Sequence, residues 1–138
     1  MNEYTIDTIK TGDSATFTRK ADEAWFDLFR QITDDGNPLH TEEAFARARG
    51  FDGRVLYGMC TASLYSTLAG VYLPGKYCLL EQVDAKFVKP VFANDVLTVS
   101  GTVTEVDERF ARIMIKADIR NQNGEKVSRA KITAGFTK

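Results

Sequence analysis

Val55-Leu56-Tyr57-Gly58-Met59-Cys60-Thr61-Ala62-Ser63-Leu64-Tyr65-Ser66-Thr67-Leu68-Ala69-Gly70-Val71-Tyr72-Leu73 is the stretch whose reading decides the fold. It is long, apolar and rich in small residues. Glycines and hydroxyls at Gly58, Ser63, Ser66, Thr67 and Gly70 interrupt it too often for a membrane span. A helix apolar nearly all round is a buried one, so residues 55–73 are predicted to form a central helix. Its small residues let other backbones, or a ligand, approach closely. Pro74-Gly75 ends it.

Everything after Pro74 reads as β-structure that can wrap this helix. Residues 79–88 alternate, with Val83, Ala85 and Phe87 on one side. In residues 96–106, Leu97, Val99, Gly101 and Val103 alternate with Thr98, Ser100, Thr102 and Thr104. Residues 110–119 alternate as well, and Asn121-Gln122-Asn123-Gly124 is a hairpin turn. Residues 127–136 set Ser128, Ala130, Ile132 and Ala134 against Val127, Arg129, Lys131 and Thr133. Such a meander forms an antiparallel sheet with one face on the helix. The predicted class is therefore α+β, a curved antiparallel sheet around one long helix, with residues 1–138 as a single domain.

Ahead of the central helix, residues 4–9 and 15–18 read as two short strands joined by a turn at Thr11-Gly12-Asp13. Residues 21–32 change period: Trp25, Leu28, Phe29 and Ile32 form one helical stripe, with Asp22 and Glu23 in the first turn. That helix must stop before Gly36 and Pro38. A second short helix is predicted over 41–48, with Thr41 as N-cap and Ala44, Phe45 and Ala48 as its apolar side.

Composition narrows the function classes. Hydrophobic residues make up 43% of the chain, enough for a core, and the net charge of −1 gives no general reason to expect nucleic acid or a membrane surface. Cys60, Cys78 and a single histidine make no zinc set, and the two cysteines form no CxxC pair. A reduced, cytoplasmic setting is the default expectation, and residues 1–10 lack the apolar run of a signal peptide. Lys86, Lys89, Lys126, Arg129 and Lys131 read as solvated strand faces, some of which could meet the phosphates of a thioester carrier.

The chemistry concentrates in Asp35-Gly36-Asn37-Pro38-Leu39-His40, which holds the only histidine. Gly36, Asn37 and Pro38 bend the chain, so Asp35 and His40 on the two sides of the bend can face one point. Such a pair can hold a water molecule and move its protons near neutral pH.

The run Asp35-x-Asn37-Pro38-Leu39-His40 followed by Ala46 resembles the signature of the MaoC-like (R)-specific enoyl-CoA hydratases. Tyr57-Gly58-Met59, Ala62-Ser63-Leu64-Tyr65-Ser66 and Leu73-Pro74-Gly75 resemble the start and end of that family's central helix, and Phe87-Val88-Lys89-Pro90-Val91-Phe92-Ala93-Asn94-Asp95 the strand and turn beyond it. The likeness spans about residues 25–136. It implies a hot dog fold and reversible syn addition of water to a trans-2-enoyl thioester, giving an (R)-3-hydroxyacyl thioester. By the same resemblance Asp35 and His40 match the catalytic dyad, and Gly58 the glycine whose amide forms the oxyanion hole. Asn37, Tyr57 and Ser66 fall on the substrate side. One dyad member is expected to take a proton from water and the other to supply one to Cα, and the sequence does not assign the two roles.

Two positions depart from the family pattern: Asp34 stands where a small residue is usual, and Tyr57 where histidine is common. No metal or resident cofactor is implied; the substrate arrives on coenzyme A or on acyl carrier protein phosphopantetheine. An exposed sheet edge predicts at least a homodimer. The alternatives are a hot dog acyl-thioesterase and a non-catalytic acyl-thioester binding subunit.

Overall fold

In the computed structural model, which describes residues 1–137, the chain folds in the order β1 (Ser14–Lys20), α1 (Ala24–Thr33), α2 (Pro38–Thr41), α3 (Glu43–Ala48), α4 (Gly58–Thr67), a π-helical turn (Leu68–Tyr72), β2 (Cys78–Phe87), β3 (Val96–Asp107), β4 (Arg112–Arg120) and β5 (Lys126–Phe136). The five strands make one antiparallel sheet in the order β1-β3-β4-β5-β2. Strict alternation in β3 and β4 puts Leu97, Val99, Val103, Ile113, Ile115 and Ile119 in the core, nearly inaccessible to water. Gly101 sits in the same row because Leu68 presses on it: a Cβ there would lie 2.6 Å from Leu68 Cδ2. From α4, Tyr65 donates to Ser128 Oγ (2.9 Å), which donates to the Lys86 carbonyl (2.8 Å). This buried relay ties the helix to β5 and β2 with every hydroxyl satisfied.

The central helix is shorter than predicted. Val55 pairs with Phe92 as an isolated bridge, and the Leu56 amide bonds the Val91 carbonyl (2.8 Å), so these residues are extended and the helix starts at Gly58. At the other end Leu73 N–H reaches back five residues to Leu68, which widens the last turn. Gly75 closes the element at φ +91° with the Asn2 carbonyl packed against it, where no side chain fits.

Three further expectations are corrected. Residues 4–9 are not a strand: Thr8 Oγ1 accepts from the Thr5 amide and the Ile9 amide bonds the Thr5 carbonyl, so a hydroxyl turn outcompetes pairing. In α1 the core-facing residue is Phe26, whereas Leu28 and Ile32 of the predicted stripe are 55% and 81% exposed. Residues 41–48 split into α2 and α3 because Glu42 is extended; Thr41 closes α2 rather than capping α3. Ala46, not Ala44 or Ala48, is the buried residue of α3.

Strand β2 is an edge. Val83 and Phe87 stand opposite Ile132 and Ser128, on the helix side of the sheet, yet both remain exposed, as does Leu79. Among the described residues no helix is long and apolar enough to cross a membrane.

Candidate active site

Helix α1 ends at Asp34, which adopts the left-handed conformation (φ 56°) and donates its amide to the Arg30 carbonyl (2.7 Å). A short polar side chain tolerates this geometry, which accounts for an aspartate at a position where the family pattern has a small residue. The next bend is held by side chains. Asp35 Oδ1 accepts from the Asn37 amide (3.0 Å), and Asn37 Oδ1 accepts from the Leu39 amide (2.9 Å). Asn37 is thus the N-cap of α2, with Pro38 next to it at the first helical position. Its side-chain oxygen is occupied by the turn rather than turned to a substrate.

His40 is half-buried on α2. Its Nδ1 lies 2.7 Å from the Val55 carbonyl. A carbonyl only accepts, so in the neutral ring Nδ1 carries the proton and Nε2 keeps a free lone pair. The imidazole also lies against the Tyr57 ring, centroids 4.1 Å apart at 31°.

Imidazole and helix N-terminus open into one cavity of about 360 Å³ lined by His40, Gly58 and Thr61 together with Leu56, Phe87, Val88, Val91 and Val127. Gly58 begins α4, where the helix has no acceptor of its own for the first amides. Tyr57 holds the N-cap position but makes no side-chain cap bond. The Gly58 amide is therefore aimed outward with the positive end of the helix dipole behind it. Beside it lies the Phe87 ring, 3.4 Å from where a Cβ on Gly58 would stand. An apolar pocket with one imidazole and one amide-rich helix end suits an acyl chain entering beside a polarised carbonyl.

The remaining sequence-selected residues lie outside this lining. Asp35 is exposed, and its main-chain carbonyl accepts from the Tyr57 hydroxyl (2.5 Å). Tyr57 itself is 2% exposed and does not line the cavity. Burial, and then the negative charge of Asp35, push its phenol above its ordinary pKa, so it stays a donor. Ser66 is exposed on α4, about 12 Å along the axis from Gly58 at the helical rise, and takes no part in this cavity. The Val55 carbonyl escaped sequence reading, because a main-chain acceptor leaves no residue-type signal.

A larger groove, about 740 Å³, lies elsewhere on the sheet, among Lys86, Lys116, Asp118, Lys126, Arg129 and Lys131. Alternate strand residues point to the face away from the core, and the groove has no histidine, cysteine or helix end, so it reads as a solvated strand face. Among the described residues no group of three His, Cys, Asp or Glu side chains is placed to hold a metal ion.

A buried helix held in a curved antiparallel sheet, with a histidine and the helix's first residue lining one cavity, defines a hot dog protein. Residues 5–124 match the MaoC like domain. An (R)-specific enoyl-CoA hydratase of Aeromonas caviae is 34% identical over 116 residues, 84% of this chain and 87% of the relative. A second (R)-specific enoyl-CoA hydratase, from Rhodospirillum rubrum, is 34% identical over 96 residues, 70% of this chain and 67% of that one. Among solved structures, R-hydratase PhaJ1 from Pseudomonas aeruginosa superposes with a TM-score of 0.89 at 25% identity, covering 97% of this chain and 86% of that one. The chain belongs to the MaoC-like dehydratase family.

Proposed function

We propose that this protein is an (R)-specific enoyl thioester hydratase, a hydro-lyase that adds water reversibly across a trans-2-enoyl thioester. The observation that carries the reading is the shared cavity, which presents His40 and the Gly58 amide to one ligand. As water attacks Cβ, negative charge gathers on the thioester oxygen, where the Gly58 amide and the α4 dipole stabilise it; one such donor is worth about 3–4 kcal/mol of barrier. The lone pair left on Nε2 supports His40 as the proton carrier: it accepts a proton from water and returns it to Cα on the same face, giving syn addition. Asp35 is the second dyad member by its match to the family signature; its carboxylate, exposed and outside the lining, has to turn toward the cavity to accept the second hydrogen of that water. No resident cofactor takes part in these steps.

The acyl thioester is borne by coenzyme A or by a carrier-protein phosphopantetheine, and names of relatives carry both handles. A homodimer that covers the exposed Leu79, Val83 and Phe87 of edge strand β2, in one domain per chain and in the cytoplasm, completes the reading. The test is incubation with crotonyl-CoA. Loss of the enoyl absorbance with formation of (R)-3-hydroxybutyryl-CoA is the expected result, and release of free thiol with no hydroxy product would replace the reading with a thioesterase.

A further inference from the structure

We infer that Tyr57 is a positioning residue that locks His40 and the Asp35 turn into one geometry around the Gly58 amide, an inference that rests on the hydratase reading above. The sequence pattern puts Tyr57 on the substrate side; its placement is different. It is almost fully buried and outside the cavity lining. Its ring packs on Phe29, centroids 5.1 Å apart, and on His40, 4.1 Å apart. Its hydroxyl is bonded to the Asp35 carbonyl, and its own carbonyl carbon is bonded to the Gly58 nitrogen.

One residue is thus joined to all three: its ring lies against His40, its hydroxyl bonds the main-chain carbonyl of Asp35, and its backbone leads directly into Gly58. A tyrosine has two side-chain torsions, and here the two ring contacts and the bond at its tip fix them. Histidine, common in the family at this position, is shorter by about the reach from ring to phenol oxygen. In this chain Tyr57 therefore takes on a tether to the Asp35 carbonyl that a histidine would not span. The charged groups that face it are Asp35, Arg30, Arg54 and Asp27.

The test compares Tyr57→Phe and Tyr57→Leu with wild type. Crotonyl-CoA kinetics are read against pH, and the imidazole of His40 is followed by NMR, where it is the single histidine signal of the chain. Tyr57→Phe keeps the ring and loses the tether: kcat falls about tenfold, KM stays within twofold, and the His40 imidazole signals keep their positions. Tyr57→Leu removes the ring that lies against His40, so the imidazole C–H signals lose the shift that this ring imposes and kcat falls by on the order of 10². A rise in KM with kcat unchanged in Tyr57→Phe would mean that Tyr57 touches substrate, and overturns the inference. So do His40 imidazole signals left unmoved in folded Tyr57→Leu. If wild type turns over no enoyl thioester, the hydratase reading fails by itself, and the NMR comparison still decides whether the Tyr57 ring holds His40.

Discussion

Replacing His40 separates its chemical from its structural contribution, because the two ring nitrogens face different partners. Nδ1 bonds the Val55 carbonyl, and Nε2 is the nitrogen left for water. Asparagine places an amide N–H the same number of bonds from the backbone as Nδ1, so His40→Asn keeps the Val55 bond and deletes Nε2. His40→Ala deletes both. The Val55 bond is worth about 0.5–1.5 kcal/mol net, and the contact with Tyr57 a similar amount. His40→Ala should therefore lose about 1–3 kcal/mol of stability, and His40→Asn roughly half of that. For a chain of this size each kcal/mol moves Tm by about 3–5 °C, so both variants stay folded at 25 °C. Turnover behaves differently. A positioned acid–base group contributes about 10²–10⁴, or roughly 2.7–5.5 kcal/mol of barrier, and both variants forfeit all of it. Urea unfolding and crotonyl-CoA hydration on the same preparations provide the two axes. Turnover of His40→Asn within tenfold of wild type refutes the role of Nε2. Equal stability of the two variants refutes the Val55 bond as a support.

Other perturbations draw on the same geometry. Asp35→Asn should cut kcat by a factor on the order of 10² in the crotonyl-CoA assay, with Tm nearly unchanged, since an amide oxygen can still accept from Asn37. Burial pushes the Cys60 thiol up to about 11 and the Tyr65 phenol up to about 12, so both are held neutral in the fold. Raised folded-state values mean that this stability is intact below pH 9, is lost between about 9 and 11 for Cys60, and between about 10 and 12 for Tyr65. Urea midpoints taken from about pH 7 to 11 should fall steeply above about 9, and less steeply over that upper range in Cys60→Ala. Gly101→Ala should cost about 1–3 kcal/mol, because its methyl meets Leu68 and Ile115 inside a core with no room to yield; in a Leu68→Ala background that cost should drop below half.

The sheet was legible because a period of two survives any environment that has one wet and one dry face. Leu97, Val99 and Val103 alternate with threonines for that reason, and the structure places them as read. Helix faces were less legible. In α1, Trp25, Phe26, Leu28, Phe29 and Ile32 are apolar on more than one side, and composition does not say which side the sheet will meet; Phe26 went in and Ile32 stayed out. Apolarity also could not mark where the central helix begins. Leu56 and Tyr57 are as hydrophobic as the first turns of α4, but the Leu56 amide found a strand partner in Val91, a contact made across 35 residues.

The site shows the same division between local and long-range causes. Asp35, Asn37 and His40 lie within six residues, and the Asx bonds that shape their bend are local, so the run was readable as a turn with chemistry at both ends. The groups that complete it arrive from the start of α4: a carbonyl at Val55, a ring at Tyr57 and an amide at Gly58. Two of these three are main-chain groups, which every residue type supplies alike. The third is a tyrosine whose buried ring is indistinguishable in composition from ordinary core. This also explains why the helix must begin at Gly58 and no earlier. Extending α4 back by one turn would bury the Gly58 amide in a bond to its own helix, remove the donor from the cavity, and swing the Val55 carbonyl away from His40. The extended segment 55–57 thus sets the imidazole tautomer and leaves the helix end free at the same time, and a substitution that favours helix there should damage both.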